Sequence, residues 1–199
     1  MNTTDVVVLS FGRRRVPRAL RGLPVAESAD TACGRLVVVG SDTDLSTALT
    51  RLLRTDRLGT EVAHVRRPWH ARRALRGRAT RVPLIRDDGG TVLVGAAYWL
   101  GQSGREKGSR AKLTGEAVVD DHMLFDGAVT GVRIEPTPTL PGLRASVLSR
   151  HMRPRRWFTG RAAQLGTTGA IVVRDGVRAA RPVKRSTFYR HTEGWLQVR

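Results

Sequence analysis

The stretch that decides the fold is LVVVGSDTDLSTALTRLL, residues 36–53. It opens with a continuous apolar run, residues 36–39, which is typical of a strand covered on both faces. Gly40 then turns the chain, and we expect Asp42 or Thr43 to cap a helix. Four leucines recur at the spacing of one helical face: Leu45, Leu49, Leu52 and Leu53. The stretch therefore predicts a strand, a tight turn and a helix, which is half of a βαβ unit.

The residues on either side of this stretch complete a small α/β lobe. Residues 1–35 contain one short apolar run, 6–9, followed by arginine, glycine and proline, and predict an N-terminal arm with a strand and a mobile basic loop. Residues 61–65 predict the next strand of the unit, and Ala71, Ala74 and Leu75 permit a short helix within residues 66–81. We place this α/β lobe at residues 36–81.

From residue 82 onwards the pattern changes to short strands and turns. The turn Asp87-Asp88-Gly89-Gly90 lies between two apolar runs and predicts a hairpin, as does Asp175-Gly176 further along the chain. Residues 101–115 are rich in glycine and basic residues and predict an exposed loop. Further strands are predicted at 117–119 and 129–134, and a late strand pair within 188–198. The expected fold class is α/β plus antiparallel β, with the antiparallel β lobe spanning residues 82–199.

Composition excludes several classes of protein. Lys plus Arg number 35 against 17 Asp plus Glu, giving a formal net charge of +18, and all but three of the basic residues are arginine. The positive electrostatic potential of such a chain attracts nucleic acid, anionic lipid or phosphorylated ligands. Codon bias in a GC-rich genome also favours arginine at positions where the residue type does not matter. No apolar run reaches the roughly 18 residues of a membrane span, and no secretory signal is visible. With Cys33 as the single cysteine, these features favour a cytoplasmic protein.

A resemblance to a known family enters at the turn after the first strand. The diacylglycerol-kinase-like lipid kinases carry G-G-D-G-T between a buried strand and a helix, and residues 40–44 resemble that motif. Gly40 stands at the first glycine and Asp42 at the aspartate, whereas the other three positions differ. The tail is similar too, with a hairpin turn at 175–176, a proline-containing strand and a final apolar strand. The chain thus resembles a degenerate, shortened relative over residues 36–199.

This resemblance implies a lipid-kinase-like fold and a nucleotide site at the turn. Its residues would be Gly40, Ser41, Asp42, Thr43 and Asp44, with ATP and Mg²⁺ as the implied ligands. Backbone N–H groups at a helix start can meet an anion, and two carboxylates would favour a Mg²⁺-bound phosphate. The alternative is that Asp42 caps the helix and Asp44 complements its dipole. The family's second glycine-rich phosphate loop is replaced here by arginines, so we expect a non-catalytic or weakly active protein.

Two arginine-rich segments are candidates for binding nucleic acid or anionic lipid. Each combines basic side chains with a tryptophan, a combination that suits phosphate contacts and stacking. The alternative is a solvated surface whose arginine stems cover apolar groups. The first segment contributes Arg66, Arg67, Trp69, Arg72, Arg73 and Arg76, and the second Arg153, Arg155, Arg156 and Trp157.

Other kinds of site have little support in the sequence. The five histidines are scattered and no H-E-x-x-H helix is present, so no zinc peptidase site is visible. No G-x-S-x-G turn marks a serine hydrolase. The sequence therefore predicts no catalytic residue and no metal site. It favours a lipid-kinase-like protein that binds a nucleotide or an anionic lipid, with a basic nucleic-acid-binding module or a structural or regulatory interaction protein as the alternatives.

Overall fold

The computed structural model describes residues 5–12, 15–102 and 111–199. Its two α-helices are α1 (Asp42–Arg54) and α2 (Ala71–Arg76). Its strands, in chain order, are β1 Val6–Ser10, β2 Val25–Ala26, β3 Arg35–Val39, β4 Glu61–Val65, β5 Ala79–Val82, β6 Ile85–Asp87, β7 Val92–Leu93, β8 Ala97–Gly101, β9 Leu113–Val119, β10 His122–Val129, β11 Gly131–Pro136, β12 Leu143–Leu148, β13 Pro154–Gly160, β14 Ala162–Arg174, β15 Val177–Arg178, β16 Val183–Arg190 and β17 Trp195–Val198. None of the described helices has the length and apolarity needed to cross a bilayer.

The contact pattern divides the chain into two compact units. The first comprises Met1–Val82 together with Thr192–Arg199, and the second comprises Pro83–His191. In the first unit, six strands form one sheet in the order β2-β1-β3-β4-β17-β5. All neighbouring pairs are parallel except β17 and β5, which are antiparallel. The carboxyl ends of β1, β3, β4 and β17 therefore lie along one edge of the sheet.

The first sheet is buried on both faces, which explains its continuous apolar strands. Val37, Val39, Ala63 and Val65 share a core with the buried alanines of α2. The alternate side chains of β3 point to the other face, where α1 contacts the strand. The buried positions of α1 include the expected face at Leu45, Leu49 and Leu52. The predicted strand, turn and helix are confirmed.

A buried arginine joins the sheet to the end of α2. Arg35, the first residue of β3, is 3% exposed, and its guanidinium donates to the backbone carbonyls of Ala74, Leu75 and Gly77. The same side chain forms an ion pair with Glu61 at 2.6 Å. Since carbonyls in the last turn of a helix have no partner within the helix, Arg35 supplies the hydrogen bonds that end α2.

The second unit is an antiparallel assembly. Its main path runs β13-β12-β11-β8-β14-β16-β6-β7, with β9 joined to β14 and β10, and β15 joined to β14. Its core surrounds Trp99 and Phe188, both fully buried, and the indole N–H of Trp99 donates to Ser186 Oγ at 2.9 Å. Both predicted hairpins are present, because β6 pairs with β7 and β14 pairs with β15. The expected change from α/β to mostly antiparallel β is confirmed.

Several boundaries differ from the sequence interpretation. Residues 6–10 are a buried sheet strand rather than part of a separate arm, because β1 pairs with β3 along its whole length. The prediction that the two late strands pair with each other was wrong. β16 belongs to the second sheet, whereas β17 inserts between β4 and β5 in the first. The predicted loop at 101–115 overlaps β9 at its end, and residues 103–110 of it lie outside the described residues.

We expect Arg35→Met to be strongly destabilising. The substitution leaves the carbonyls at the end of α2 without their donor in a buried environment, and breaking a buried pair of this kind costs about 3–5 kcal/mol. The measurement is the free energy of unfolding in urea. The control is Arg21→Met, an exposed arginine in the same unit, which should change that free energy by about 0.5 kcal/mol or less. Equal values for the two variants would contradict the assigned role.

Candidate functional site

The turn from β3 into α1 is held by a capping box. Ser41 is the N-cap residue, and its Oγ accepts a hydrogen bond from Asp44 N at 3.3 Å. In return, Asp44 Oδ2 accepts from Ser41 N at 2.7 Å and from Ser41 Oγ at 2.8 Å. The cap is therefore Ser41, not Asp42 or Thr43 as expected, because the serine and the residue three positions later satisfy each other.

Gly40 has a steric reason to be glycine. The Asp44 carboxylate folds back over the turn so closely that a Cβ at position 40 would overlap it. The backbone N–H of Gly40 donates to Val65 O at 3.3 Å, which ties the turn to the end of β4. The shape of the turn thus follows from the capping box, and Asp44 is occupied by it.

Asp42 points to a different set of neighbours. Its carboxylate lies 3.4 Å from Arg66 Nη2 and 4.0 Å from His64 Nδ1. The Nε2 of His64 lies 3.1 Å from the carbonyl oxygen of Gly40, so this nitrogen carries the proton and donates it. Asp42 is therefore already neutralised by a guanidinium beside a neutral imidazole.

Burial lowers the pKa of His64 below its ordinary value. The Gly40 carbonyl and the Asp42 carboxylate act in the opposite direction and favour the charged ring, whereas the Arg66 guanidinium disfavours it. Desolvation is the largest of these effects, because the His64 side chain is only 14% exposed. The imidazole is consequently neutral at pH 7, with its proton held towards Gly40.

A cavity of about 390 Å³ opens beside His64 in the same unit. Most of its polar lining is basic or imidazole: His64 from β4, His70 and Arg73 around the start of α2, and Arg199 after β17. Ala74, Gln197 and Val198 complete the described lining, in which no side chain is acidic. Because β4 and β17 are parallel, the cavity lies at their carboxyl ends, the edge at which α/β sheets bind ligands. Its chemistry suits an anion.

The side chains of the first arginine segment make different contacts. Arg66 pairs with Asp42, and Arg73 lines the cavity. The Arg67 guanidinium lies 5.2 Å from the ring centre of Trp69, whose side chain is 67% exposed. Arg72 and Arg76 are exposed on α2. The structure therefore brings only part of this segment to the turn, and its role in binding stays a prediction.

The second segment lies in the other unit, on and before β13. Arg153, Arg155 and Arg156 are exposed, and Trp157 is half-buried. The guanidinium of Arg144 lies 4.4 Å from the Trp157 ring centre, and that of Arg156 lies 4.9 Å from the ring centre of Phe158. Arginine stacked on aromatic rings was not visible in the sequence, because Arg144 comes from the neighbouring strand.

Two polar residues outside the turn and the arginine segments were also considered for chemical roles. Asp120 accepts hydrogen bonds from the backbone N–H groups of Arg161 and Ala162 and thereby fixes a chain crossing. Cys33 is half-buried, and burial raises the pKa of its thiol, which makes it a weaker nucleophile. Within residues 5–12, 15–102 and 111–199, no group of three or more His, Cys, Asp or Glu could hold a metal ion.

Sequence reasoning found the turn but missed the cavity next to it. His64 and His70 were counted only as scattered histidines, and Arg199 was not considered. A usable signal was present: His64 is the penultimate residue of a strand parallel to β3, so its side chain had to lie near Gly40. Arg199 could not be found this way, since its position depends on the insertion of β17 beside β4.

Comparison with known proteins supports the fold. No protein-family model matches the chain, and no curated protein sequence matches it. An NAD kinase from Archaeoglobus fulgidus in complex with ATP superposes with a TM-score of 0.64 at 13% identity, covering 98% of this chain and 93% of that one. A protein from Bacillus anthracis strain Sterne, provisionally assigned as a diacylglycerol kinase, gives 0.73 at 8% identity, with 98% and 97% covered.

At these identities the likeness is one of fold. It extends over nearly the whole of each chain, so it includes both the parallel sheet with the turn and the antiparallel unit. The chain therefore has the fold shared by NAD kinase and the diacylglycerol-kinase-like proteins, as its sequence resemblance predicted.

The state of His64 predicts how stability depends on pH. Because the folded pKa lies below the unfolded value of 6.5, the unfolded chain takes up the proton first as the pH falls below 6.5. Stability contributed by the neutral ring is therefore present above that pH and lost as the pH falls towards the folded pKa. We expect His64→Gln, which keeps an amide donor for the Gly40 carbonyl, to show a shallower loss.

The measurement is the urea midpoint of wild type and His64→Gln at several pH values between 7.5 and 5. His122→Gln is the control, because His122 is exposed and lies in the other unit. It should follow the wild-type curve. If all three proteins lose stability in parallel, His64 is not the group that titrates.

Proposed function

We propose that this lipid-kinase-like protein binds the phosphate groups of a nucleotide, or of another phosphorylated ligand, at the carboxyl edge of the first sheet without efficient phosphoryl transfer. The observation that carries the proposal is the cavity lined by His64, His70, Arg73 and Arg199 beside the Gly40–Asp44 turn. An anion placed there meets the guanidiniums of Arg73 and Arg199 and the imidazole of His70, which can donate hydrogen bonds to it. The ATP complex of the structurally similar archaeal NAD kinase makes a nucleotide the first ligand to test.

The residues at the turn fit a phosphate better than they fit Mg²⁺. Magnesium needs free oxygen ligands in octahedral geometry, usually one or two carboxylates together with waters and phosphates. Here the Asp44 carboxylate accepts two hydrogen bonds from Ser41 inside the capping box, and Asp42 is paired with Arg66. A metal would have to displace Arg66 before Asp42 could coordinate it. We therefore propose metal-independent anion binding.

The same pairing is the reason that we propose weak or absent catalysis. Phosphoryl transfer depends on metal ions that neutralise the charge developing between the phosphates and on a group that positions the acceptor. With Asp42 held by Arg66, this chain lacks a free carboxylate at the turn for either task. His64 cannot act as a base through Nε2, because that nitrogen donates to the Gly40 carbonyl.

We expect ATP to bind equally well with Mg²⁺ and with EDTA, and Arg73→Gln to weaken binding about tenfold. The measurement is equilibrium dialysis of labelled ATP against wild type and variants. The control is Arg72→Gln, which removes the same charge from the adjacent exposed position of α2 but does not line the cavity. Equal losses for the two variants would show that only the overall charge matters.

Competition experiments with further ligands show which kind of phosphorylated molecule the cavity binds. If inorganic phosphate competes with ATP, the protein recognises the phosphate group alone. Vesicles containing phosphatidic acid that compete equally, and with the same dependence on Arg73, would identify a lipid headgroup as the ligand. If none of the three binds to the folded protein, the proposal fails.

Asp42→Asn separates anion binding from kinase chemistry. Loss of the carboxylate frees Arg66 and makes the edge more positive, so we expect ATP to bind a few-fold more tightly in EDTA. A working kinase site would behave in the opposite way: Mg²⁺-dependent binding and turnover would fall in the variant. The two outcomes are distinguished by dialysis with and without Mg²⁺ and by ADP release.

A further inference from the structure

The edge of the second unit carries an unusual concentration of positive charge. Residues 149–161 contain five arginines and neither Asp nor Glu. The segment forms β13, which lies at the end of the main sheet path with β12 as its neighbour. Within the part of the chain that the structure describes, the guanidiniums of Arg153, Arg155 and Arg156 have no carboxylate partner within 4.0 Å.

A β-bulge exposes two of these arginines together. The pairing of β12 with β13 shifts between Ser146 opposite Trp157 and Leu148 opposite Pro154. Arg155 and Arg156 therefore share the space opposite a single residue of β12, and both side chains are exposed. Bulges of this kind re-aim side chains at sheet edges.

A row of polar and aromatic side chains crosses the sheet from this edge. Trp157 is opposite Ser146, Ser146 is opposite Arg133, and Arg133 is opposite Tyr98, on β13, β12, β11 and β8. Directly opposed residues share a face, so these four lie on one side of the sheet. The alternate side chains, including Phe158 and Ala145, belong to the core on the other side. The row thus lies on the face of the sheet away from this core, which we call the outer face; Trp157 and Tyr98 are half-buried there, and Ser146 beneath the arginines is fully buried.

An arginine guanidinium lies over each of the two aromatic rings in this row. Arg144 lies 4.4 Å from the ring centre of Trp157, and Arg133 lies 5.6 Å from that of Tyr98. Glu135 holds both arginines in place, through Arg144 Nη2 at 2.6 Å and Arg133 Nη2 at 2.5 Å. One carboxylate therefore fixes two flat cationic groups over two rings, and planar groups of this kind accept a stacked base.

We propose that the outer face of β8, β11 and β12, together with the β13 edge, binds single-stranded nucleic acid. The arginines of β13 contact phosphates, and bases stack on the Trp157–Arg144 and Tyr98–Arg133 pairs. Three strand spacings separate Tyr98 from Trp157, about 14 Å, which is far more than the roughly 3.4 Å step between stacked bases of a duplex. Bases can reach both pairs only when the strand is unstacked, which favours a single strand over a double helix.

The same surface is poorly suited to a membrane. A peripheral membrane site combines basic residues with exposed apolar or aromatic side chains that enter the interface. The large exposed apolar residues of the described chain are Val25, Trp69, Met123, Leu140 and Val177, and none of them belongs to the row or to β13. The surface also lies wholly in the second unit, so the inference does not depend on the anion cavity of the first.

The experiment measures fluorescence anisotropy of a labelled 20-nucleotide single strand, its duplex form and 20% phosphatidylserine vesicles, at several salt concentrations. The full-length wild type should bind the single strand at least about fivefold more tightly than the duplex. Arg155→Gln with Arg156→Gln should lose about tenfold and lower the salt slope by about 1.4, the value for two phosphate contacts on a single strand. The control removes two positive charges from exposed positions of the same unit, Arg181→Gln with Lys184→Gln.

A second variant separates stacking from charge. Arg144→Lys keeps the positive charge but removes the planar guanidinium over Trp157. It should weaken single-strand binding about fivefold and leave the salt slope unchanged, since only a stacking contact is lost. Thermal unfolding of each variant establishes that it is folded.

Three results would overturn the proposal. In the first, the double variant at Arg181 and Lys184 weakens binding as much as the double variant at Arg155 and Arg156, which would show that binding depends only on the total charge. In the second, duplex and single strand bind equally well and Arg144→Lys has no effect. In the third, vesicles bind with the dependence on Arg155 and Arg156 and the single strand does not, which would make the surface a membrane site.

Discussion

The guanidinium of Arg35 is the interaction on which the first unit depends. It lies at the beginning of β3, yet it ends α2, so one side chain fixes where a short helix stops relative to the sheet. Six residues are too few for a helix to be stable alone, and α2 has neither an N-cap hydrogen bond nor an acidic first turn. Its position therefore comes from Arg35 and from two buried alanines. That position in turn places His70 and Arg73 in the cavity.

Structural contacts of the side chains also determine the chemistry of the carboxyl edge of the first sheet. The residues that begin α1 most effectively are a serine and an aspartate three positions apart, and their mutual hydrogen bonds leave Asp44 little capacity for a metal. Asp42 is free of the cap but lies beside Arg66. Arginines between α1 and the end of α2 thus have two effects on this edge: Arg66 neutralises the carboxylate at the turn, and Arg73 adds positive charge to the lining of the adjacent cavity.

The sequence could predict what depends on local periodicity and could not predict what depends on distant pairing. The β3–α1 stretch and both hairpins follow from apolar spacing and turn residues, and all were correct. The cap was assigned one or two residues late, because serine, aspartate and threonine are all good caps and only the reciprocal contact distinguishes them. The insertion of β17 beside β4 has no local signal, so the strand itself was predicted, but its place in the first sheet, the unit boundary and Arg199 in the cavity were missed together.

Coding bias and function can now be separated for particular arginines. Some are built into the fold: Arg35 ends a helix, and Arg57 donates to three consecutive backbone carbonyls, those of residues 29–31. Arg174 pairs with the buried carboxylate of Asp87. These three side chains make specific contacts with backbone carbonyls or a buried carboxylate and so contribute to the fold. The exposed arginines of β13 have no carboxylate partner among the described residues, although Arg156 lies over the Phe158 ring, and they lie beside the row of side chains that begins at Trp157. The nucleic-acid site proposed above would give these arginines a function in contacting phosphates.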